Sequence, residues 1–316
     1  MMRAESRWPV IAAFALVYLV WGSTYLAVAL AVHSIPPFLL MGGRSVVGGT
    51  ALFVGARLAG SPPVSIADWG RATVCGILFF VTCHGFLAYA QQHVPSGLAA
   101  ILLATIPFWI ALFSTVVADR NKPSIRQLLL LAPGFLGVAI IVLSDSDLAS
   151  ARSNLRDVLL LLVAAASWAL GSILSKRWSP TDETAAYSGM ELMAGGIVLL
   201  IASTLLGEPA SFEPAAVSAA ALGGWAYLTV AGTIVTFAAY LWLLKRVSPT
   251  LVATYTFVNP VVAVLLGWAV LGERFGGMMA IGAILVIGSV IGLLWPGQVA
   301  KQATSAPHGV HGMVRR

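Results

Sequence analysis

Ten apolar runs, each about as long as a bilayer is thick, follow one another from residue 9 to residue 295 with only short polar breaks. They fall at roughly 9–32, 36–57, 70–90, 96–118, 124–143, 157–176, 184–206, 217–243, 250–271 and 276–295, cut at Pro, Gly and charge clusters. Inside a bilayer no water pairs with backbone N–H and C=O groups, so each run must satisfy its own, as a helix does. The reading is an all-α membrane protein of ten transmembrane helices. Composition agrees: 59% of the 316 residues are hydrophobic and 9% are charged, a ratio that no soluble core of this length needs. The run behind "MMRAESRW" is long enough to span and has no small-residue cleavage site after it, so it reads as the first helix and not as a removed signal. Cys75 and Cys83 share one helix at a separation of ~12 Å, too far for a disulfide, and read as packing residues.

The formal charge of +6 does not point to nucleic acid, because the basic residues stand singly or in pairs between the apolar runs. They set topology instead. Alternate loops and both termini carry fourteen of them: Arg3, Arg7, Arg57, Arg71, Arg120, Lys122, Arg126, Lys176, Arg177, Lys245, Arg246, Lys301, Arg315 and Arg316. The opposite side has three, Arg152, Arg156 and Arg274. The positive-inside rule then places both termini in the cytoplasm. Trp8, Trp69, Trp178, Trp225 and Trp295 fall near helix ends, where the indole favours the interface.

A repeat is visible. "LVWGSTYLAVAL" (19–30) and "WALGSILSKR" (168–177) carry the same tryptophan-led, small-residue notch, with Trp21 and Trp168 147 positions apart. Arg44 and Glu191 share that offset. Further on, "VPSGLAAILLATIPFWIALFSTVVADR" (94–120) matches "VSPTLVATYTFVNPVVAVLLGWAVLGER" (247–274), pairing Pro107 with Pro260. Behind each comes a Gly-rich helix, "LAPGFLGVAIIVL" and "AIGAILVIGSVIGLL". The chain thus divides into an N-terminal five-helix repeat at 9–143 and a C-terminal one at 157–295. A tail at 297–316 reads as cytoplasmic and disordered. Five is odd, so the second copy enters from the opposite face and the halves are inverted around a central pathway. Secondary transporters use this architecture, with the substrate site near the midplane.

These segments resemble the EamA branch of the drug/metabolite transporter superfamily over about residues 9–295. The likeness is carried by "VWGSTYLAVAL…IPPFLLMGGRS", "VPSGLAAILLATIPFW", "SPTLVATYTFVNPVVAVLLGWAVLGER" and the closing Gly-rich helix. The resemblance implies a bacterial inner-membrane carrier that exports small organic solutes, amino acids and aromatic ones among them. It brings no catalytic motif and no cofactor.

Several residues are candidates for the pathway. Ser23 and Ser172 lie in the two notches, where a hydroxyl either lines a cavity or bonds back to its own helix. Trp21 and Trp168 carry an N–H that needs a partner at depth. Tyr25, Tyr89, Trp109, Tyr240, Tyr255 and Asn259 add aromatic and polar groups along the helices. Pro107 and Pro260 each remove a backbone hydrogen bond mid-span and are expected to kink their helices. Arg44 and Glu191 are the costliest placements, since intramembrane charges seek the bundle interior and a partner. Helical rise places them within ~6 Å of each other along the bilayer normal. A direct or water-bridged pair is expected, acting as structural neutralisation or as a gate or proton-coupling element. His84 is the other candidate for proton handling, or else a packing residue.

The function expected is secondary-active export of small metabolites, amino acids or related amphipathic solutes, by alternating access. Import of a small organic solute on the same fold is the alternative. No phosphate loop points to a primary pump. No Ser–His, paired-Asp or H-E-x-x-H constellation points to an enzyme or a metal site. The partners implied are a small-molecule substrate, the bilayer and protons. Oligomeric state is not written in the sequence.

Overall fold

The structure is a computed structural model that describes residues 8–113, 129–130, 132–137, 140, 151–179, 184–246, 252, 255–273 and 276–294. Most of the predicted fifth helix (124–143), the end of the fourth (114–118), residues 1–7, the basic cluster Arg120, Lys122 and Arg126, Arg274, and the tail 297–316 lie outside the described residues.

Among the described residues there is no strand. The helices are α1 (Trp8–Val32), α2 (Pro37–Leu58), α3 (66–90), α4 (Ser96–Leu103), α5 (Ile106–Phe113), α6 (Ala151–Trp178), α7 (Thr184–Leu205), α8 (219–246), α9 (255–271) and α10 (Gly277–Leu294). Six of them, α1, α2, α3, α6, α7 and α8, are long and apolar enough to cross a membrane. Shorter apolar stretches run over Ser96–Ile110, Val258–Leu271 and Gly277–Ser289. Their outer faces suit lipid. Leu155, Leu159 and Val163 on α6, and Ile197, Ile201 and Leu205 on α7, are exposed at four-residue spacing, so each helix turns one apolar stripe outward.

Helix ends follow local chemistry. α3 begins about a turn before the predicted residue 70 because Ser65 and Asp68 form a capping box: Ser65 Oγ accepts from Asp68 N at 3.2 Å, and Ser65 N donates to Asp68 Oδ2 at 3.1 Å. The predicted fourth helix is broken into α4 and α5 at Ala104–Thr105. Pro107 has no N–H to give to Leu103 and its ring crowds that turn. Thr105 Oγ1 donates instead to the Leu102 carbonyl, 2.7 Å away. Pro260, by contrast, lies inside a continuous helix.

Three helices widen into π-helix, α3 over Ile77–Gly85, α8 over Leu228–Val235 and, at its end, α9 over Gly267–Leu271. Such wide turns re-aim side chains and recur at functional sites.

α2 and α7 form the tightest seam. A Cβ built on Gly42 would lie 3.1 Å from Gly196 O, and one on Gly49 would lie 2.9 Å from Gly189 O. The two backbones therefore touch through facing glycines, as small residues allow in membrane bundles. α3 lies against the same helix, with Gly76 and Gly195 backbone to backbone.

Candidate functional site

The helices α1, α2, α3, α6, α8 and α9 converge on an internal cavity of about 80 Å³. α1 supplies Trp21, Thr24, Tyr25 and Val28. Their spacing of three, four and seven residues from Trp21 puts them on one helical face. α3 supplies Phe80, Cys83, His84 and Leu87, again one face. Arg44 and Met41 come from α2, Trp168 from α6, Thr233 and Phe237 from α8, and Tyr255 and Asn259 from α9.

The aromatic side of this cavity is rigidly interlocked. Trp21 meets Trp168 edge-on at 6.5 Å between ring centroids and Tyr255 edge-on at 4.9 Å. Tyr240 packs behind Trp21 at 5.0 Å. The Trp21 indole N–H donates to the Gly232 carbonyl at 3.0 Å, inside the π-helical part of α8. The Trp21 indole thus has the partner that a buried N–H requires.

The polar side centres on Arg44, which is 6% exposed. Its Nη2 lies 3.3 Å from His84 Nδ1. A guanidinium only donates, so His84 Nδ1 accepts and the ring proton sits on Nε2. Arg44 Nε has no hydrogen-bond partner. The expected Arg44–Glu191 pair does not form: the ion pairs among the described residues are Arg71–Asp68 and His93–Asp157. Glu191 is 1% exposed and lies outside the cavity lining, with Oε1 without a hydrogen-bond partner among the described residues. Matching depth was not enough. Arg44 reaches His84 on α3 from α2 and lines the cavity, whereas Glu191 does not line it.

Of the other sequence candidates, Ser23 and Ser172 lie outside the cavity lining. Ser23 Oγ donates to Val20 O at 2.9 Å and is 2.6 Å from Tyr227 OH, and Ser172 Oγ donates to Trp168 O at 2.7 Å. Both notch hydroxyls are back-bonded packing groups. Trp109 also lies outside, stacked on Phe113 at 6.0 Å and edge-on to Phe135 at 6.4 Å. Tyr89 belongs to one end of the bundle. Thr24, Met41, Phe80, Cys83, Thr233 and Phe237 were missed, although helical spacing from Trp21 selects Thr24 and helical spacing from His84 selects Phe80.

Around Tyr89 the bundle end is tied by polar contacts between the first and second halves of the chain. The Glu208 carboxylate accepts from Phe38 N at 3.2 Å and Leu39 N at 2.8 Å, at the start of α2. Glu273 accepts from Ser96 N at 2.8 Å, Ser96 Oγ at 3.0 Å and Gly97 N at 3.3 Å, at the start of α4. A carboxylate at a helix N-terminus meets free N–H groups and the positive end of the dipole. Each of these glutamates follows a left-handed glycine, Gly207 (φ +77°) and Gly272 (φ +67°), which turns the chain back onto its target. His93 Nδ1 is 3.1 Å from Asp157 Oδ2. The Arg156 guanidinium donates to Tyr89 OH at 2.5 Å and lies 4.8 Å from that ring's centroid. A wide recess of about 630 Å³ opens between these ties, lined by His33, Phe38, Tyr89, Gln92, Glu208 and Glu213.

Comparison with known proteins bears on this arrangement. Residues 8–143 and 155–295 each match the EamA-like transporter family. An Escherichia coli K12 protein, the uncharacterized inner membrane transporter YedA, is 33% identical over 288 residues, covering 90% of both chains. Protein PecM of Dickeya dadantii is 27% identical, over 86% of this chain and 88% of its own. A Salmonella typhimurium protein named a probable amino-acid metabolite efflux pump is 28% identical, over 86% of this chain and 90% of its own. A solved crystal structure superposes with a TM-score of 0.62 at 20% identity, over 91% of this chain and 98% of that one, a likeness of fold.

Proposed function

We propose that this chain, which belongs to the EamA-like transporter family, is a secondary carrier that exports small metabolites from the cytoplasm by alternating access. It is a multi-pass membrane protein and a transporter, not an enzyme, by its family and relatives. The observation that carries the finer reading is the buried aromatic and polar cavity, built by helices from both family-matched segments. Amino acids or related amphipathic solutes suit such a wall, and the name of the Salmonella typhimurium relative is in line with that.

Ten helices in two inverted repeats account for several contacts at once. With the offset of 147, Gly42 corresponds to Gly189 and Gly49 to Gly196, so the contact of Gly42 with Gly196 becomes that of Gly189 with Gly49. A two-fold axis between α2 and α7 produces this exchange. Trp21 against Trp168 fits the same axis. The π-helical stretches recur, and "GFLAYA" (85–90) corresponds to "TFAAYL" (236–241), matching Tyr89 with Tyr240. The basic loops put both termini in the cytoplasm, so the tied end faces outward and the protein is drawn closed on that side. Glu191, buried with one oxygen unpartnered, is the carboxyl group assigned to proton coupling.

The test is efflux of labelled amino acids and other metabolites from proteoliposomes of known orientation, with and without a pH gradient. Saturable, competable efflux supports the carrier. Uptake that runs only inward replaces export with import, and no flux across a broad metabolite panel refutes the reading.

A further inference from the structure

Arg44 has no compensating charge among the described residues. It is nine-tenths buried in a chain that spans a bilayer, its neighbour across the cavity is a neutral imidazole nitrogen, and its Nε donates to nothing. A buried cation without a partner is among the most costly arrangements a protein can hold, and it persists where a ligand supplies the missing anion. Ten buried side-chain atoms lack a hydrogen-bond partner among the described residues, and just two of them belong to residues lining the cavity. One is Arg44 Nε, a charged donor. The other is Asn259 Oδ1, an acceptor, on a side chain 5% exposed.

We infer that the cavity recognises a zwitterionic α-amino acid, Arg44 binding its carboxylate and Asn259 Oδ1 its ammonium group. The inference rests on the carrier reading and deepens it. A single guanidinium matches a single negative charge, and its fork suits a carboxylate. Among the described residues no second cation lines the cavity to hold a phosphate dianion. An ammonium needs acceptors and aromatic faces. Asn259 offers the first, while Trp21, Trp168 and Tyr255 offer the second. The free volume of about 80 Å³ is below the ~300 Å³ of ordinary ligand pockets, so the walls must part to admit a side chain.

The experiment is calorimetric binding to purified full-length protein of a matched series: the common L-amino acids, their carboxamides and their deaminated acids. The expected result is that at least one amino acid binds the unmodified protein, with its carboxamide and its deaminated acid each weaker by ~30-fold or more. Arg44→Gln then abolishes the preference over the carboxamide and Arg44→Lys retains it in part. Asn259→Leu abolishes the preference over the deaminated acid. Carboxamides or deaminated acids that bind the unmodified protein as well as the amino acids overturn the inference, without any variant having to fold. So does the absence of amino-acid binding. Proteoliposome flux of a carboxylate-free metabolite alongside that absence leaves the carrier reading standing, whereas no flux of anything removes both.

Discussion

The glycine seam between α2 and α7 makes a quantitative prediction through a pair of substitutions on one helix. A Cβ at position 49 would lie 2.7 Å from Leu192 Cβ and from Met193 N, and 2.9 Å from Gly189 O, where ordinary contact begins at 3.4 Å. The helices must part by ~0.7 Å or more, and a gap of that size forfeits a quarter to a half of each neighbouring van der Waals contact. Overpacking of this kind costs about 1–3 kcal/mol. Replacing a helical glycine with alanine returns about 0.5–1 kcal/mol of backbone entropy. Gly49→Ala is therefore destabilising by a net ~0.5–2 kcal/mol. Position 55 on the same helix has nothing within 4 Å of its Cβ, so Gly55→Ala keeps only the gain and raises stability by about 0.5–1 kcal/mol. Thermal unfolding of the two variants in the same detergent reads the opposite signs directly. If Gly49→Ala melts at or above the unmodified protein, the backbone contact is not made and the seam is wrong.

Three further outcomes are expected. Trp21→Phe keeps the ring contacts with Trp168 and Tyr255 but leaves Gly232 O unpaired, costing about 1 kcal/mol in the same melt; an unchanged melting temperature contradicts that hydrogen bond. Glu208→Gln removes the negative charge from the start of α2, a loss of about 0.3–1 kcal/mol that shrinks as salt screens the dipole. Equal loss at low and high salt would assign Glu208 a role other than charge. Glu191→Gln leaves downhill efflux in place and removes its response to a pH gradient; a response that survives the substitution ends the assignment of this residue to coupling.

Six of the spans, α1, α2, α3, α6, α7 and α8, were legible because helical segments in lipid have no other way to satisfy their backbone, and length marks them. The capping box that advances α3 was also written locally, in the Ser-x-x-Asp of residues 65–68, as was the break before Pro107. Part of the cavity wall was readable too. Helical spacing from Trp21 selects Thr24, Tyr25 and Val28 and rejects Ser23, which stands two residues on and points elsewhere. The inter-half ties were not readable by any local rule, since Glu208 and Glu273 reach partners about 170 residues away. A repeated signal was nonetheless present: Leu-Gly-Glu occurs at 206–208 and again at 271–273, each time with the glycine in the left-handed conformation. The partner of Arg44 was out of reach because rise along a helix fixes depth and leaves the direction around the bundle axis open.

That direction is what separates scaffold from chemistry here. The proposed repeat places Arg44 and Glu191 at equivalent positions, and each is buried. Had both side chains turned into the cavity, they would have formed an ion pair and left no charge for a ligand. Glu191 instead lies outside the lining, while Arg44 faces the cavity beside His84. On the proposed repeat, the glycines and the tryptophans keep a two-fold relation because packing α2 on α7, and Trp21 on Trp168, requires the same small or flat groups from both halves. The charged positions differ in sign, and only Arg44 lines the cavity. An inverted pair of halves gives two interchangeable states of one pathway; a binding site within it must be lopsided to hold a substrate with distinguishable ends.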